Sequence, residues 1–471
     1  MGQVFIGRQV EVGLLENYYS TDKSEMVAIY GRRRVGKTFL VKNTLEARFD
    51  FEFTGMFGVT AKVQRARFQN ALDQRNGRRR SVPANWFEAF DNLKEYLASL
   101  GKTKVVVFLD ELPWLDTPKS NFLAAFSDFW NRWGQRRRDV KLVVCGSATS
   151  WILREVLQTE GGLNRRVTHS LCLVPFTLRE TEEFLRREKD IEWSRREIIE
   201  CYMVFGGVPY YLRRLQGRLS LAQNITALCL SAQAPFKGEA KRLLDSTLSD
   251  KPLYYRVLAE LAGAKRGMPR KELVQTLGVK DGQGFTAVLL GLEECGYIRR
   301  YDNPYRKGRK AMYQLIDPFL LFSARFIAGD GRVGDWLEYY DTPSYNAWRG
   351  NAFEIVCLCH LPQIRRALSL ETMRTREFPW ESVGAKPGAQ VDLVIERPDK
   401  ITYLCEMKFT NAPFSVSASY RGDLLSKAEV FKAETKTTNA VQTVLVVAAG
   451  FSQGANSDIV SRVIEGDDLF V

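Results

Sequence analysis

Residues 26–39 combine glycine, lysine and threonine at a spacing that binds phosphate groups. An apolar run from Val27 to Tyr30 leads into the loop Gly31-Arg32-Arg33-Arg34-Val35-Gly36-Lys37-Thr38, and Phe39 lies in the apolar helix that follows. The two glycines allow a tight turn whose N–H groups point inward at the start of that helix. Lys37 can then reach the β- and γ-phosphates, and Thr38 can offer its hydroxyl to Mg²⁺. The stretch predicts a P-loop that binds ATP together with Mg²⁺.

Two carboxylates follow a second apolar run, where phosphate chemistry needs them. Val105–Leu109 is apolar throughout, which is typical of a strand buried on both faces of a parallel sheet, and Asp110 and Glu111 come next. Ligands of α/β sheets bind at the carboxyl ends of the strands. We therefore expect Asp110 to hold the hydration shell of Mg²⁺ and Glu111 to orient or deprotonate an attacking water. Ordinary strands also end in Asp-Glu, so this interpretation depends on the P-loop upstream.

Two further polar residues could complete a nucleotide site. The run Lys141–Cys145 ends at Gly146 and Ser147, and a small polar residue at this sheet edge can sense the γ-phosphate or the water. The alternative, a serine-rich N-cap for the helix that begins at Trp151, applies mainly to Thr149 and Ser150. Arg166 is a candidate arginine finger, acting in its own subunit or across a subunit boundary of a homo-oligomer, although a surface arginine is the more frequent explanation.

A second group of charged residues lies in the last third of the chain. Asp392 lies in an apolar run, the sequence Arg-Pro-Asp-Lys at 397–400 predicts a turn, and Glu406 and Lys408 lie in the next apolar run. A turn centred near Asp399 places Asp392 directly opposite Glu406, and the period of two along a strand places Lys408 on the same face. Facing carboxylates repel each other unless a divalent cation lies between them, so the pattern predicts an Mg²⁺ or Mn²⁺ site.

Between these two groups, residues 251–316 predict a winged helix. Amphipathic spacing indicates helices at Pro252–Leu261, Pro269–Leu277 and Gly284–Cys295, and two β-prone runs follow around a basic turn. In a winged helix the third helix enters the major groove of DNA and the basic wing contacts phosphates. The wing cluster consists of Arg306, Lys307, Arg309 and Lys310. A winged helix that packs against protein, with a solvated basic loop, is an equally good interpretation.

Composition indicates a soluble multidomain protein with a polyanionic partner. The 471 residues are 45% hydrophobic, enough for several cores, and 68 Lys and Arg against 55 Asp and Glu give a net charge of +13. This balance favours a polyanionic partner over an acidic protein or a neutral ligand, although the arginine runs 32–34, 78–80 and 136–138 could each be a solvated face. Neither a signal peptide nor an apolar run of about 20 residues is visible, so we expect a cytoplasmic location and no membrane contact.

The cysteines predict reduced thiols, because the eight are scattered without a CxxC pair and several lie in apolar runs. Cys357-Leu358-Cys359-His360 resembles half of a zinc site. The chain has only two histidines, however, and no second Cys/His pair completes such a site. We therefore expect no zinc there.

Several of these motifs together resemble the prokaryotic AAA-type ATPase family of archaea and bacteria. They are the P-loop, Asp110-Glu111, Gly146-Ser147, residues 173–180 and Gly206-Gly207-Val208-Pro209, and the resemblance covers roughly residues 3–245. It implies ATP hydrolysis by an AAA-like parallel sheet with a small helical lid that contains the Gly-Gly-Val-Pro turn. The chain departs from the family at the first sensor, where Ser147 stands in place of the common Asn, and it has no clear second-sensor Arg.

The C-terminal residues resemble the PD-(D/E)xK nuclease family, whose fold is restriction-endonuclease-like. The resemblance rests on Asp392, on Glu406 and Lys408, and on Glu354 in an upstream helix. It implies that Asp392 and Glu406 bind the metal, that Lys408 positions or polarises the attacking water and that Glu354 is an auxiliary acid. Val391 replaces the Pro that the family often has before the aspartate. A domain that kept these residues by chance, or that lost activity, is the alternative.

The sequence thus predicts a multidomain α/β protein. The predicted parts are a P-loop AAA-like core at 1–176, a helical lid at 177–250, a winged helix at 251–316, a linker at 317–345 and a nuclease-like domain at 346–471. Two functions fit this order. In the first, an ATP-hydrolysing protein acts on DNA and gates an Mg²⁺- or Mn²⁺-dependent nuclease-like domain. In the second, the protein is a nucleotide-controlled switch that binds DNA or protein, and its nuclease-like domain is inactive.

Overall fold

The computed structural model describes residues 6–147, 149–158, 163, 166–245, 251–305, 311–328, 334–340, 342–384 and 388–471. The chain divides into two compact units, Met1–Val174 and Pro175–Val471. All segments predicted downstream of residue 176 lie in the second unit, and the bounds of the predicted lid, winged helix and nuclease-like domain remain predictions. The wing cluster lies outside the described residues.

The first unit is a parallel five-stranded sheet flanked by helices. Its strands are β1 Glu25–Tyr30, β2 Phe49–Thr54, β3 Val105–Asp110, β4 Val140–Cys145 and β5 His169–Cys172. Its helices are α1 Gln9–Ser20, α2 Lys37–Leu45, α3 Ala61–Asn76, α4 Trp86–Ser99, α5 Phe122–Asp128 and α6 Thr149–Trp151. The strand order is β2-β3-β4-β1-β5, and each neighbouring pair is parallel. Strand β1, which leads into the P-loop, therefore lies between β4 and β5.

Helices cover both faces of this sheet, which explains its uninterrupted apolar strands. Along β1, Met26 and Ala28 pack against residues of α3, α4 and α5, whereas Val27 and Ile29 pack against residues of α1 and α2. All six residues of β3 are buried, in agreement with the apolar run. Each fully buried aliphatic side chain of this kind contributes roughly 1.5–3 kcal/mol to folding. The sheet is therefore a rigid base for the loops at its carboxyl edge.

The second unit contains more helices and two sheets. Its helices are α7 Leu178–Lys189, α8 Arg195–Phe205, α9 Pro209–Leu212, α10 Leu221–Ile225, α11 Glu239–Asp245, α12 Lys251–Gly263, α13 Arg270–Leu277, α14 Gln283–Glu294, α15 Pro318–Phe322, α16 Pro343–Cys359, α17 Leu361–Ala367 and α18 Ala418–Thr435. Its strands are β6 Met268–Pro269, β7 Ile298–Asp302, β8 Ala311–Leu315, β9 Arg376–Glu381, β10 Gln390–Glu396, β11 Ile401–Lys408, β12 Ala440–Val447 and β13 Val460–Glu465.

Helices α12, α13 and α14 precede strands β7 and β8, in the order predicted for a winged helix. A short strand that was not predicted, β6, lies between α12 and α13 and pairs with β8 in the antiparallel sheet β6-β8-β7. Leu289 and Leu292 of α14 are buried, whereas Leu290 is exposed. Helix α14 therefore contributes one apolar stripe to the core, as an amphipathic helix does. The assignment of this part to the winged-helix class remains a proposal.

The C-terminal sheet has the order β13-β12-β11-β10-β9. Strands β9, β10 and β11 are antiparallel neighbours, and β11, β12 and β13 are parallel. In the β10–β11 hairpin, Leu393 lies opposite Cys405, which makes Asp392 and Glu406 the next facing positions. This register is the predicted one. Helix α16 packs against β11 and helix α18 against β12.

The described residues of the segment 317–345 pack into the core of the second unit, unlike the linker that was predicted there. Phe319, Phe322 and Trp336 are fully buried, and the Trp336 ring lies 5.5 Å from that of Trp348 in α16. Each aromatic side chain buries some 150–250 Å², so this segment is part of the core of the second unit. This packing was not predicted because the partners of these rings lie elsewhere in the chain and cannot be identified from local composition.

Candidate functional site

The P-loop glycines lie where no other residue would fit without strain. Gly31 has φ 132°, and a Cβ at this position would lie 2.2 Å from the Leu173 carbonyl oxygen, because the loop passes close to the end of β5. Gly36 has φ 92° and is the N-cap of α2. The first N–H groups of α2 therefore open directly onto the loop, where they can bind an anion.

Lys37 and Thr38, the first two residues of α2, bring the charged groups of the loop together. The buried Lys37 ammonium donates to the carbonyl oxygens of Gly31 at 2.8 Å and Arg32 at 2.9 Å. The Thr38 hydroxyl donates to Oδ2 of Asp110 at 2.7 Å. A hydroxyl and a carboxylate are the hard oxygen donors that Mg²⁺ prefers, so this pair fits the predicted magnesium site. The structure thus brings the P-loop and the end of β3 together.

Glu111 is held against the end of the neighbouring strand β4. Its backbone is left-handed, with φ 47°, immediately after Asp110. Its carboxylate accepts hydrogen bonds from the Ser147 hydroxyl at 2.7 Å and from the Ser147 N–H at 3.1 Å. The structure therefore places both sequence-predicted residues at one sheet edge, with Ser147 directed at Glu111.

Arg166 does not belong to this edge of the sheet. It precedes β5, whose first residue, His169, lies beside Val27 at the start of β1. At about 3.3 Å per residue, Arg166 is roughly 20 Å along the strands from Gly31. Its exposed guanidinium donates to Gln135 at 3.0 Å. The prediction of an arginine finger for its own P-loop was therefore wrong; a role across a subunit boundary remains a prediction.

The second unit holds the C-terminal charged residues around one cavity of about 350 Å³. Three acidic residues line it, from α16, β10 and β11, together with basic and polar side chains. The acidic residues are Glu354, Asp392 and Glu406, and the others include Lys265, Arg266, Asn346, Arg349, Lys408 and Lys427. The structure thus brings together all four residues that the sequence predicted for this site.

Two lysines that were not predicted from the sequence neutralise the carboxylates. Lys265 forms an ion pair with Glu354 and lies 3.6 Å from Oδ1 of Asp392. Lys427, on α18, lies 2.6 Å from Oε2 of Glu406. The predicted lysine, Lys408, lines the same cavity, where its ammonium lies 4.8 Å from the centre of the Tyr420 ring. Repulsion between the facing carboxylates is therefore relieved by ammonium groups.

Burial raises the pKa of two of these acids. Burial, followed by the charge of Asp392, raises the pKa of Glu354 to about 8, although Lys265 opposes this shift. Burial and Asp392 also raise the pKa of Glu406, against the effect of Lys427. For Lys265, burial alone would lower the pKa, but the charges of Glu354 and Asp392 raise it. A cation in the cavity is therefore favoured.

The carboxylate cluster also provides an atom that a divalent cation could bind. Oε1 of Glu406 is buried and has no hydrogen-bond partner in the structure. A buried carboxylate oxygen without a partner is costly, and oxygen donors of this kind suit Mg²⁺ or Mn²⁺. Within the described part of the chain, no group of three or more His, Cys, Asp or Glu is already arranged around a metal position. Side chains would thus have to move for a metal to bind.

Comparison with known proteins assigns the part of the chain that contains the first site. Residues 5–215 match the family described as "ATPase domain predominantly from Archaea". The chain contains an ATPase domain. This ATPase domain includes every residue of the nucleotide site described above, from the P-loop to Ser147. The match does not extend to the cavity of the second unit.

Two similar proteins and one similar solved structure come from archaea. An uncharacterized protein of Methanocaldococcus jannaschii is 24% identical over 417 residues, which are 86% of this chain and 88% of that protein. An uncharacterized ATP-binding protein of the same organism is 44% identical over 43 residues, 9% of this chain and 73% of that protein. A solved Walker-type ATPase of Pyrococcus abyssi has a TM-score of 0.51 at 18% identity and covers 68% of this chain and 96% of its own. The protein is therefore multidomain α/β, with the parallel five-stranded sheet of P-loop ATPases.

No helix in the described ranges is long and apolar enough to cross a membrane.

The Cys357–His360 segment, which resembles half of a zinc site, has a structural role. Nε2 of His360 accepts a hydrogen bond from the Leu178 N–H at 2.9 Å, and Nδ1 lies 2.7 Å from the Val356 carbonyl oxygen. Both ring nitrogens are thereby used, so His360 caps the start of α7.

Lys265 and Lys427 were not predicted from the sequence as part of the acidic site. Lys427 lies seven residues after Tyr420 on α18, so the helix period places both on one face. The shared helix face of Lys427 and Tyr420 can be recognised from their spacing, but no nearby sequence pattern shows that this face packs beside Glu406. Lys265 lies in the turn between α12 and β6, and no sequence pattern connects it to the C-terminal sheet.

Proposed function

We propose that this cytoplasmic protein hydrolyses ATP and acts on DNA, and that its ATPase domain gates a metal-dependent nuclease-like site in the second unit. The observation that carries the proposal is the convergence of three acidic side chains and one lysine on a single cavity. These residues are Glu354, Asp392, Glu406 and Lys408. Their types support phosphodiester hydrolysis, and the ATPase domain in the same chain supplies a source of control.

In the ATPase domain, we assign phosphate binding to the backbone of Gly31–Phe39 and to Lys37. The Lys37 ammonium would exchange its two carbonyl partners for oxygens of the β- and γ-phosphates, which carry full charge and bind it more strongly. Thr38 and Asp110 would hold Mg²⁺, which neutralises charge on the phosphates. The N–H groups at the start of α2 would bind the same phosphates.

We assign the activation of water to Glu111 and control of its position to Ser147. Both hydrogen bonds that Ser147 donates occupy the Glu111 carboxylate. These hydrogen bonds stabilise the charged carboxylate, so the loss of one of them would make Glu111 a better acceptor for the proton of an attacking water. The γ-phosphate offers the Ser147 hydroxyl an anionic partner in exchange. Ser147 would thus report the presence of ATP through Glu111, which deepens the sensor role expected from the sequence.

In the nuclease-like site, we assign metal binding to Asp392 and Glu406. Mg²⁺ or Mn²⁺ held there would polarise a phosphodiester of DNA as a Lewis acid. Lys408 would orient the attacking water, and Glu354 would act as an auxiliary acid, a role that suits its raised pKa.

DNA is the proposed substrate because phosphate recognition needs cations around the acidic cluster. Arg266 and Arg349 line the same cavity and can bind the backbone phosphates on either side of the bond that is cleaved. The net charge of the whole protein, +13, also favours a polyanionic partner. The proposed winged helix, with its wing cluster, would also bind the duplex.

One observation favours the alternative, a nucleotide-controlled switch that binds DNA or protein without cleaving it. Lys265 and Lys427 already neutralise the carboxylates, as they would in a domain that had lost its metal. A single assay separates the two functions. The parent protein is incubated with supercoiled plasmid and Mn²⁺, with and without ATP, and nicked and linear products are measured.

Three variants complete this assay. Asp392→Asn should abolish cleavage, whereas the matched control Asp399→Asn, at the exposed hairpin turn, should cleave like the parent. Lys37→Ala should lose ATP hydrolysis and remove the effect of ATP on cleavage. A parent protein that binds plasmid in an ATP-dependent manner but never cuts it would refute the nuclease and support the switch.

A further inference from the structure

Lys265 reaches the nuclease-like cavity from outside the C-terminal sheet. It lies in the turn between α12 and β6, in the part of the second unit proposed to be a winged helix. Its ammonium is paired with Glu354 of α16 and lies 3.6 Å from Asp392 of β10. One side chain thus bridges two of the three carboxylates where a divalent cation would be expected.

The backbone that carries Lys265 is fixed. The Lys265 carbonyl accepts a hydrogen bond from the Gln314 amide at 2.7 Å, and the Arg266 carbonyl accepts one from the Tyr301 hydroxyl at 2.5 Å. Tyr301 packs in the same apolar core as Phe378 and other residues of the C-terminal sheet. Withdrawal of the whole turn would have to break this core, which makes such a movement costly.

The side chain of Lys265, in contrast, is the accessible member of the cluster. It is 40% exposed, whereas the side chains of Glu354 and Asp392 are 8% and 9% exposed. A lysine has a flexible four-carbon stem and a strongly hydrated ammonium, so rotation about its own bonds can carry the charge into solvent. The buried carboxylates would remain in place and would be left without a counterion.

We propose that the Lys265 ammonium is an exchangeable counterion that occupies the carboxylate cluster in the resting protein and that a divalent cation must displace. This inference rests on the proposed function and adds a regulatory element to it. Lys265 competes with the metal for Asp392, one of the two proposed metal ligands, whereas Lys427 is the counterion of the other, Glu406. Lys265 also spares the resting protein the repulsion between Glu354 and Asp392.

The test is a titration of the full-length, nucleotide-free protein with Mn²⁺, in which the electron paramagnetic resonance signal of free Mn²⁺ gives Kd. Lys265→Met should bind at least ten-fold more tightly than the parent. Lys265→Arg, which keeps the charge, should bind like the parent. Lys271→Met removes the same charge from an exposed position on α13 and should also bind like the parent.

Thermal melting of the same proteins provides a second measurement. Without metal, Lys265→Met should melt below the parent, because the buried acids lose their counterion, and Mn²⁺ should raise its melting temperature more than it raises that of the parent. Equal Kd values for Lys265→Met and the parent would overturn the competition alone and leave the metal site in place. Failure of every variant to bind Mn²⁺ would overturn the proposed metal site and, with it, this inference.

Discussion

Protonation of His360 is expected to destabilise the protein as the pH falls from neutral to about 5. The ring is fully buried, and Nε2 accepts a hydrogen bond from the Leu178 N–H while Nδ1 lies within hydrogen-bonding distance of the Val356 carbonyl. This arrangement requires the neutral ring with its proton on Nδ1. A second proton would place an N–H against the Leu178 N–H, at the positive end of α7. Burial lowers the pKa of His360 from 6.5 to about 4, although the Val356 carbonyl opposes the shift.

The size of the effect follows from this difference in pKa. The folded pKa lies below the unfolded one, so between about pH 4 and 6.5 the unfolded chain binds the extra proton and stability rises with pH. At roughly 1.4 kcal/mol per pKa unit, the full effect is about 3 kcal/mol. Of this, about 2 kcal/mol is lost on going from about pH 7.5 to about pH 5, because at pH 5 the unfolded histidine is protonated and the folded one is still neutral.

The assay compares urea unfolding of the parent and His360→Gln at these two pH values. The variant should be less stable by about 1–2 kcal/mol near pH 7.5, because Leu178 loses its partner. That difference should shrink by about 2 kcal/mol near pH 5, since glutamine does not titrate. The chain has only two histidines, so selectively labelled histidine gives two NMR titrations, and His169→Gln assigns them. Titration of the His360 ring near pH 6.5, or a stability difference that does not change with pH, would refute the reasoning.

Two further predictions concern the nucleotide site and DNA binding. Glu111→Gln should bind ATP like the parent but hydrolyse it about 100-fold more slowly. Ser147→Ala should change the rate of hydrolysis by about ten-fold or less, because it loses only one side-chain hydrogen bond to Glu111. Equal losses of activity in both variants would mean that Ser147 acts directly on the phosphate or water. Neutralising the four residues of the wing cluster should weaken binding of duplex DNA. The slope of log binding constant against log salt concentration should fall by about 0.9 for each DNA phosphate that the protein no longer neutralises. An unchanged slope would indicate that the DNA-binding surface lies instead at the arginine runs 78–80 or 136–138.

Local patterns were sufficient to predict the features that depend on neighbouring residues. The P-loop needs only the spacing from Gly31 to Thr38, and the strand that ends at Asp110 is recognisable from its apolar run. The facing positions of Asp392 and Glu406 follow from the turn at 397–400, because a short hairpin fixes the register of both strands.

Features that depend on distant parts of the chain were missed. Arg166 was considered as an arginine finger in its own subunit or in a neighbouring one, and only the pairing of β5 with β1 shows that it lies far from its own P-loop. Lys265 joins the acidic cavity through an ion pair between segments that are far apart in sequence. The aromatic residues of 317–345, Trp336 among them, gave no periodic signal, since their partners are brought together only by the fold.

Helix α16 behaves as a stiff rod about 25 Å long. Near its first turn, Tyr345 lies 3.3 Å from Glu200 of α8, and just beyond its last turn His360 is tied to the start of α7. Glu354 lies between these two fixed points. The backbone of Glu354 therefore shifts only if the helix bends or both anchors move, so the rigidity of α7 and α8 limits how far this backbone can move. A spectroscopic label beside Glu354 would therefore report movements of these two helices.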